Sequence, residues 1–325
     1  MSLVLFAQLP DMSENGGGRA GFVRARAQVQ AARDAGVDAL LLTDRQSIGP
    51  DGSGKYEAGT LAAALAVATE NIGLVPSIST EHLAPYHVAR LLATVDVLSG
   101  GRAGWEIGRP SAVADAANYH ARDVAPLRNQ RSRADEFTRV VTGLWDSFQD
   151  NAFLRDRDSG VYFVPERLHS LDHRGEYFDV AGPLNIARPP QGYPVQVRRI
   201  ACAEDATAAG ATSDVALVPI EMADAAADLA QALTEACRAA GRTPEDVRLL
   251  VEQRADTPAD HLLRSAEAGY IDGFALIPPA GPADSAHAAT VATARALRRQ
   301  VPGTTGTTLR ARLGLRRPAG RSPAA

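Results

Sequence analysis

Short β-branched or Leu-rich runs alternate with amphipathic stretches almost from one end of the chain to the other, and this rhythm restricts the fold most. Strands are expected at residues 3–6, 39–42, 72–75, 103–107, 195–200, 215–218, 247–251 and 273–277. Helices are expected near 20–35, 57–69, 84–98, 131–148, 205–212, 221–240, 258–268 and 284–300. Strand runs that stay apolar without alternating suit a parallel sheet buried on both faces. Eight βα units in 325 residues favour an α/β fold of the closed (β/α)8 barrel type over an open doubly wound sheet. The helix after Arg131 carries Phe137, Val140, Val141, Leu144, Trp145 and Phe148 on one face, a stripe that reads as core.

Two segments interrupt the rhythm. Residues 149–194 are polar and rich in Gly and Pro, and they read as a long insertion between the fourth helix and the fifth strand. Residues 303–325 turn Gly/Thr-rich and then Arg/Pro-rich, a tail expected to be partly disordered. The barrel domain is therefore drawn at 1–302.

Composition excludes several classes. With 45% hydrophobic and 22% charged residues the chain is globular, and a net charge of −4 offers nothing to a nucleic-acid backbone or an anionic membrane. Its two cysteines, Cys202 and Cys237, cannot build a disulfide framework and fit reduced thiols in the cytoplasm. The N-terminus lacks the basic and apolar regions of a signal peptide, and no apolar run is long enough for a membrane span. The histidines form no HExxH and no zinc-spaced Cys/His cluster, so no metal site is expected.

Ordered segments of this chain carry a resemblance. They are YEAGTLAAALAVATENIGLVPSIST from Tyr56, PYHVARLLATVDVLSGGRAGW from Pro85, ADEFTRVVTGLWDSF, HRGEYFDVAGPLNIARPPQGYPV and TTLRARLGLRRP. Together they resemble the nitrilotriacetate and dibenzothiophene-sulfone monooxygenase branch of the bacterial luciferase-like flavin monooxygenases. The resemblance implies a (β/α)8 barrel, paired as a homodimer or as a heterodimer with a related chain. It implies reduced FMN delivered by a flavin reductase, and O2-dependent oxidation of a small organic substrate at the C-terminal mouth of the strands.

That resemblance also allots positions around the flavin. Thr43-Asp44 falls where relatives carry an Ala-Asp pair, with Asp44 either facing the flavin or capping the next segment. Ser77, Ser79 and Thr80 keep a small polar cluster after the third strand. Later slots depart from the pattern. Trp-Asn followed by aliphatics and Thr-Ser becomes Trp105, Glu106, Ile107, Gly108, Arg109 and Pro110. A His and an Arg-Tyr pair become Leu127, Gln130 and Arg131. The Gln-Ala-Gly turn becomes Arg198-Arg199-Ile200, and the phosphate loop becomes Ala201-Cys202-Ala203-Glu204-Asp205. Carboxylates there would repel a phosphate, at roughly 3 kcal/mol for two unit charges ~5 Å apart in an effective dielectric near 20. Arg198 or Arg199 could offset this by turning inward. The usual lid insertion after strand seven is reduced to Arg254-Ala255-Asp256-Thr257.

Three functions follow from these positions. The first is a flavin monooxygenase with a rebuilt cofactor site using Ser79, Thr80, Arg109, Arg198, Arg199 and Cys202. The second is a flavin-free, supporting subunit. The third is flavin-independent chemistry with Asp44, His82 and Glu106 as acid/base groups. Cys202 stands at a helix start, which lowers a thiol pKa, while Glu204 and Asp205 oppose that shift.

Overall fold

Parallel pairing runs continuously around the eight principal strands and closes on itself. The computed structural model describes residues 2–10, 18–48, 54–108, 113–119 and 129–320. The barrel strands are β1 (Val4–Gln8), β2 (Ala39–Leu42), β3 (Gly73–Ile78), β4 (Gly104–Ile107), β7 (Val195–Arg199), β8 (Val215–Val218), β9 (Arg248–Arg254) and β10 (Gly273–Ile277). Neighbours follow the order β1-β10-β9-β8-β7-β4-β3-β2 and back to β1, which establishes the (β/α)8 barrel. Between them lie α1 (Gly18–Asp34), α2 (Ala58–Ala68), α3 (Pro85–Ser99), α5 (Gln130–Trp145), α6 (Ala203–Thr212), α7 (Ala226–Ala239), α8 (Ala259–Ala266) and α9 (Ala283–Gln300). A short helix, α4 (Val113–Ala116), was not expected from the sequence.

Each strand alternates its side chains between lumen and helix shell. Phe6, Leu41, Val75, Val197, Leu217 and Leu250 fill the lumen. Leu5, Leu40, Leu42 and Leu74 point outward into the shell shared with the helices. The run expected to stop at 75 continues through Pro76, because that residue is paired with Leu42 on one side and Ser77 with Glu106 on the other. Pro76 signals a strand end by propensity, but closure between two neighbouring strands overrides it.

The insertion lies along α5. Its hairpin, β5 (His173–Arg174) and β6 (Asp179–Val180), hangs from Glu136 of α5, which accepts the backbone N–H groups of Glu176, Tyr177 and Phe178 at 2.9–3.2 Å. Burial alone would raise the Glu136 pKa, but His173 at 3.1 Å and these N–H donors hold it below the usual value.

The segment from Gly303 is packed against the barrel as far as Gly320, and the last five residues lie outside those described. It forms α10 (Leu309–Arg312), whose Leu309, with Leu313 and Leu315, closes the N-terminal end of the lumen. Gly73 makes room for it, since a Cβ there would stand 2.7 Å from Leu309. Arg310 is 4% exposed and holds both oxygens of Asp214 at 2.6–2.7 Å. Among the described residues, no helix is long and apolar enough to cross a membrane.

Candidate active site

Strand alternation decides which charged side chains reach the barrel mouth. Val195 and Val197 face the lumen, so Arg199 two residues on does as well; Leu250 likewise places Glu252 inward. In β4 the Trp105 ring packs outward, 6.0 Å from Phe137, and Glu106 turns in. These residues meet. Arg199 Nε donates to Glu106 Oε1 at 2.7 Å, and its Nη2 pairs with Glu252 Oε1. Glu106 is fully buried and Glu252 is 3% exposed. Burial would lower the Arg199 pKa, but the two carboxylates hold the guanidinium above its ordinary value, so it stays charged. Glu252 also accepts the Ile220 N–H at 3.3 Å, tying the connection after β8 to the same group.

Arg198 points the opposite way, toward the helices. It is 8% exposed and donates through Nη1 to Asp135 of α5 at 2.9 Å. Its Nε and Nη2 are buried and have no hydrogen-bond partner among the described residues. Burial lowers its pKa, opposed by Asp135 and by Asp205. The start of α6 lies nearby. Cys202 is the N-cap, with no side-chain cap bond. Asp205 in the first turn accepts the Ala201 N–H at 3.2 Å with one oxygen and Arg131 Nε at 2.9 Å with the other. Arg131 Nη2 also reaches Cys202 Sγ at 3.2 Å. Burial pushes the Cys202 thiol pKa up, and its contacts with Glu204 and Asp205 add to this, so the thiolate of a nucleophile is disfavoured. A carboxylate bonded to backbone and to a guanidinium thus already stands in the first turn of α6.

Asp44 belongs to a third group. It accepts the N–H groups of Arg45 at 2.7 Å and Ala58 at 3.3 Å, and burial raises its pKa against those bonds. A cavity of about 410 Å³ opens beside it, lined also by Lys55, Ser79, His87, Leu91 and Tyr119. Ser79 accepts the Glu81 N–H at 3.1 Å, and Lys55 donates to Thr43 at 3.0 Å. Asn118, bonded to the Gln46 carbonyl at 2.8 Å, anchors the segment that brings Tyr119 over this cavity. The His82 ring stacks on Tyr119, with centroids 4.1 Å apart, and its side chain is fully buried. Thr80 is 2% exposed, and its carbonyl accepts from Arg133, whose guanidinium lies 4.6 Å over the Phe178 ring of the insertion.

The sequence-derived candidates thus separate. Asp44 and Ser79 share the side cavity, Glu106 and Arg199 share the lumen, and Cys202 and Arg198 belong to the α6 corner. Arg109 lies outside the described residues. Glu252, Arg133 and Tyr119 were not singled out from the sequence. Glu252 alone left a signal there, as an acid two residues beyond a lumen-facing Leu in an apolar strand. Among the described residues, no group of three or more His, Cys, Asp or Glu is placed to hold a metal ion.

Residues 1–300 match the family profile described as luciferase-like monooxygenase. The chain is 40% identical over 297 residues to one of the subunits of pristinamycin IIA synthase from Streptomyces pristinaespiralis, covering 90% of this chain and 89% of that protein. It is 42% identical over 166 residues to a component of the nitrilotriacetate monooxygenase of Aminobacter aminovorans, covering 51% of this chain and 35% of that one. Several other curated relatives are likewise matched over half of their own length or less. A crystal structure of riboflavin lyase with modified FMN and riboflavin superposes with a TM-score of 0.85 at 20% identity, covering 99% of this chain and 98% of that one, a likeness of fold. The chain belongs to the luciferase-like monooxygenase family.

Proposed function

We propose that this chain is one half of a two-chain oxygenase that uses reduced flavin and O2 on a small organic substrate, with a strongly altered flavin site of its own. The carrying observation is the Asp205 carboxylate in the first turn of α6, bonded to Ala201 N–H and to Arg131. The Arg199 clamp on Glu106 and Glu252 supports the same reading, since it commits lumen groups at the mouth to one another. The partner is a related luciferase-like chain that holds the flavin, charged by a separate reductase. The similarity to one pristinamycin IIA synthase chain, and 34% identity over 162 residues to a second chain of the same synthase, fit this arrangement.

Within this chain Asp44 and Ser79 are the groups that meet a substrate, because they line the side cavity together. His82 shapes that cavity by stacking on Tyr119 rather than by transferring a proton. A second reading, an oxygenase complete in one chain, is favoured by the family match over residues 1–300.

Two measurements decide between them. Pull-down of the tagged chain from its native cell is expected to recover a second luciferase-like protein. The purified chain titrated with FMN and with reduced FMN is expected to show no saturable binding up to high micromolar concentration. Recovery of the chain alone together with stoichiometric flavin overturns the two-chain reading.

A further inference from the structure

We propose that Asp205 is a built-in anion that takes the place of a ligand phosphate at the start of α6, so the corner rejects phosphate until that one charge is removed. The inference deepens the altered-site reading above and rests on it, but its test does not use flavin.

A helix start with cationic neighbours is an anion site by its physics. The ten-residue helix α6 begins after Cys202, an N-cap that makes no side-chain cap bond. Arg131 is bonded to Asp205 and to Cys202. Arg198 is 8% exposed, feels the charge of Asp205, and keeps Nε and Nη2 buried with no acceptor among the described residues. Such unmet guanidinium donors are costly in a protein interior. Asp135 meets the Nη1 donor of this guanidinium.

The chain supplies the missing anion internally. Asp205 reaches back four residues to Ala201 N–H and across 74 residues to Arg131. A tethered carboxylate competes with any free anion at high effective concentration. A phosphate arriving beside it meets the repulsion of like charges in addition. The consequence is a specificity rule: any ligand this chain takes at its mouth is chosen without regard to a phosphate at this corner.

The test uses inorganic phosphate as the probe. Binding is followed by isothermal calorimetry and by the thermal midpoint, at constant pH and ionic strength, with chloride as the reference. Wild type is expected to show no saturable phosphate binding. Asp205→Asn keeps an acceptor for Ala201 N–H and is expected to gain at least tenfold in phosphate affinity. Adding Arg131→Ala to Asp205→Asn is expected to abolish that gain. Glu204→Gln, a change at the neighbouring acid outside the Arg131 pair, is expected to behave as wild type. Should Asp205→Asn not fold, Asp205→Ser makes the same comparison. Equal phosphate binding by wild type and the folded variant overturns the inference, and so does a folded variant with no gain. Neither result bears on whether a second chain is recovered in the pull-down.

Discussion

Glu106 and Arg199 illustrate how charged residues far apart in the sequence close on one another. Each is visible in the sequence, one as an acid within an apolar strand and the other as a base at a strand's end. They lie 93 residues apart, and only the closed barrel shows that they share a hydrogen bond. Arg131 and Asp205 repeat the pattern across 74 residues, joining α5 to the first turn of α6. Linear spacing carries no information about such pairs, because their partners come from different βα units. The lumen clamp yields a prediction at this scale. Arg199→Ala would take from Glu106 and Glu252 the guanidinium that joins them, and breaking a buried pair in this way costs about 3–5 kcal/mol. Urea denaturation near neutral pH is expected to show a loss of that size. Combining Arg199→Ala with Glu106→Gln is expected to recover part of it; a double variant no better than the single one would show that the charge is not the cause.

Elements were legible where a single period dominates. All eight barrel strands and their principal helices fall within a few residues of their expected places, since apolar runs and helical stripes are local signals. What stayed hidden is where elements are fastened. The floor of the barrel is one such joint, built from α3, the segment before β7, and α10. Asp96, fully buried at the end of α3, accepts from Gln191 Nε2 at 2.6 Å and from the backbone N–H groups of Gln191 and Ala103. Gln191 in turn accepts the Arg310 N–H at 2.8 Å. Burial pushes the Asp96 pKa up from 3.8 to about 6, against the lowering pull of those donors and of Arg310. A carboxyl whose folded pKa exceeds its unfolded value favours the fold when protonated, so its contribution is complete below pH 3.8 and is lost as pH rises to about 6. The shift corresponds to roughly 3 kcal/mol. The stability of wild type minus that of Asp96→Asn is therefore expected to fall by an amount of that order over this window. A difference that stays flat, or that grows with pH, would contradict this assignment.

At the scale of the whole molecule the lumen is a graded column. Leucines of the C-terminal segment close its floor, aliphatic side chains fill its middle, and the Arg199 clamp crosses its upper layer. The sequence made the middle readable, because strand residues advertise their burial. It hid the floor, because a Gly/Thr-rich and Arg/Pro-rich composition resembles a free tail even when three leucines within it are buried. If the floor is part of the barrel, its removal should weaken the entire fold and not just release a loose end. Truncation after Thr307 removes Leu309, Leu313 and Leu315, each worth roughly 2 kcal/mol of burial, and strips Asp214 of its bidentate partner Arg310. The expected cost is on the order of 5 kcal/mol or more. Scanning calorimetry is expected to show one cooperative transition in both proteins, moved to lower temperature in the truncated chain. An unchanged midpoint would show that the barrel closes its floor without this segment. A second, separate transition in the full chain would show that the segment unfolds as a unit of its own.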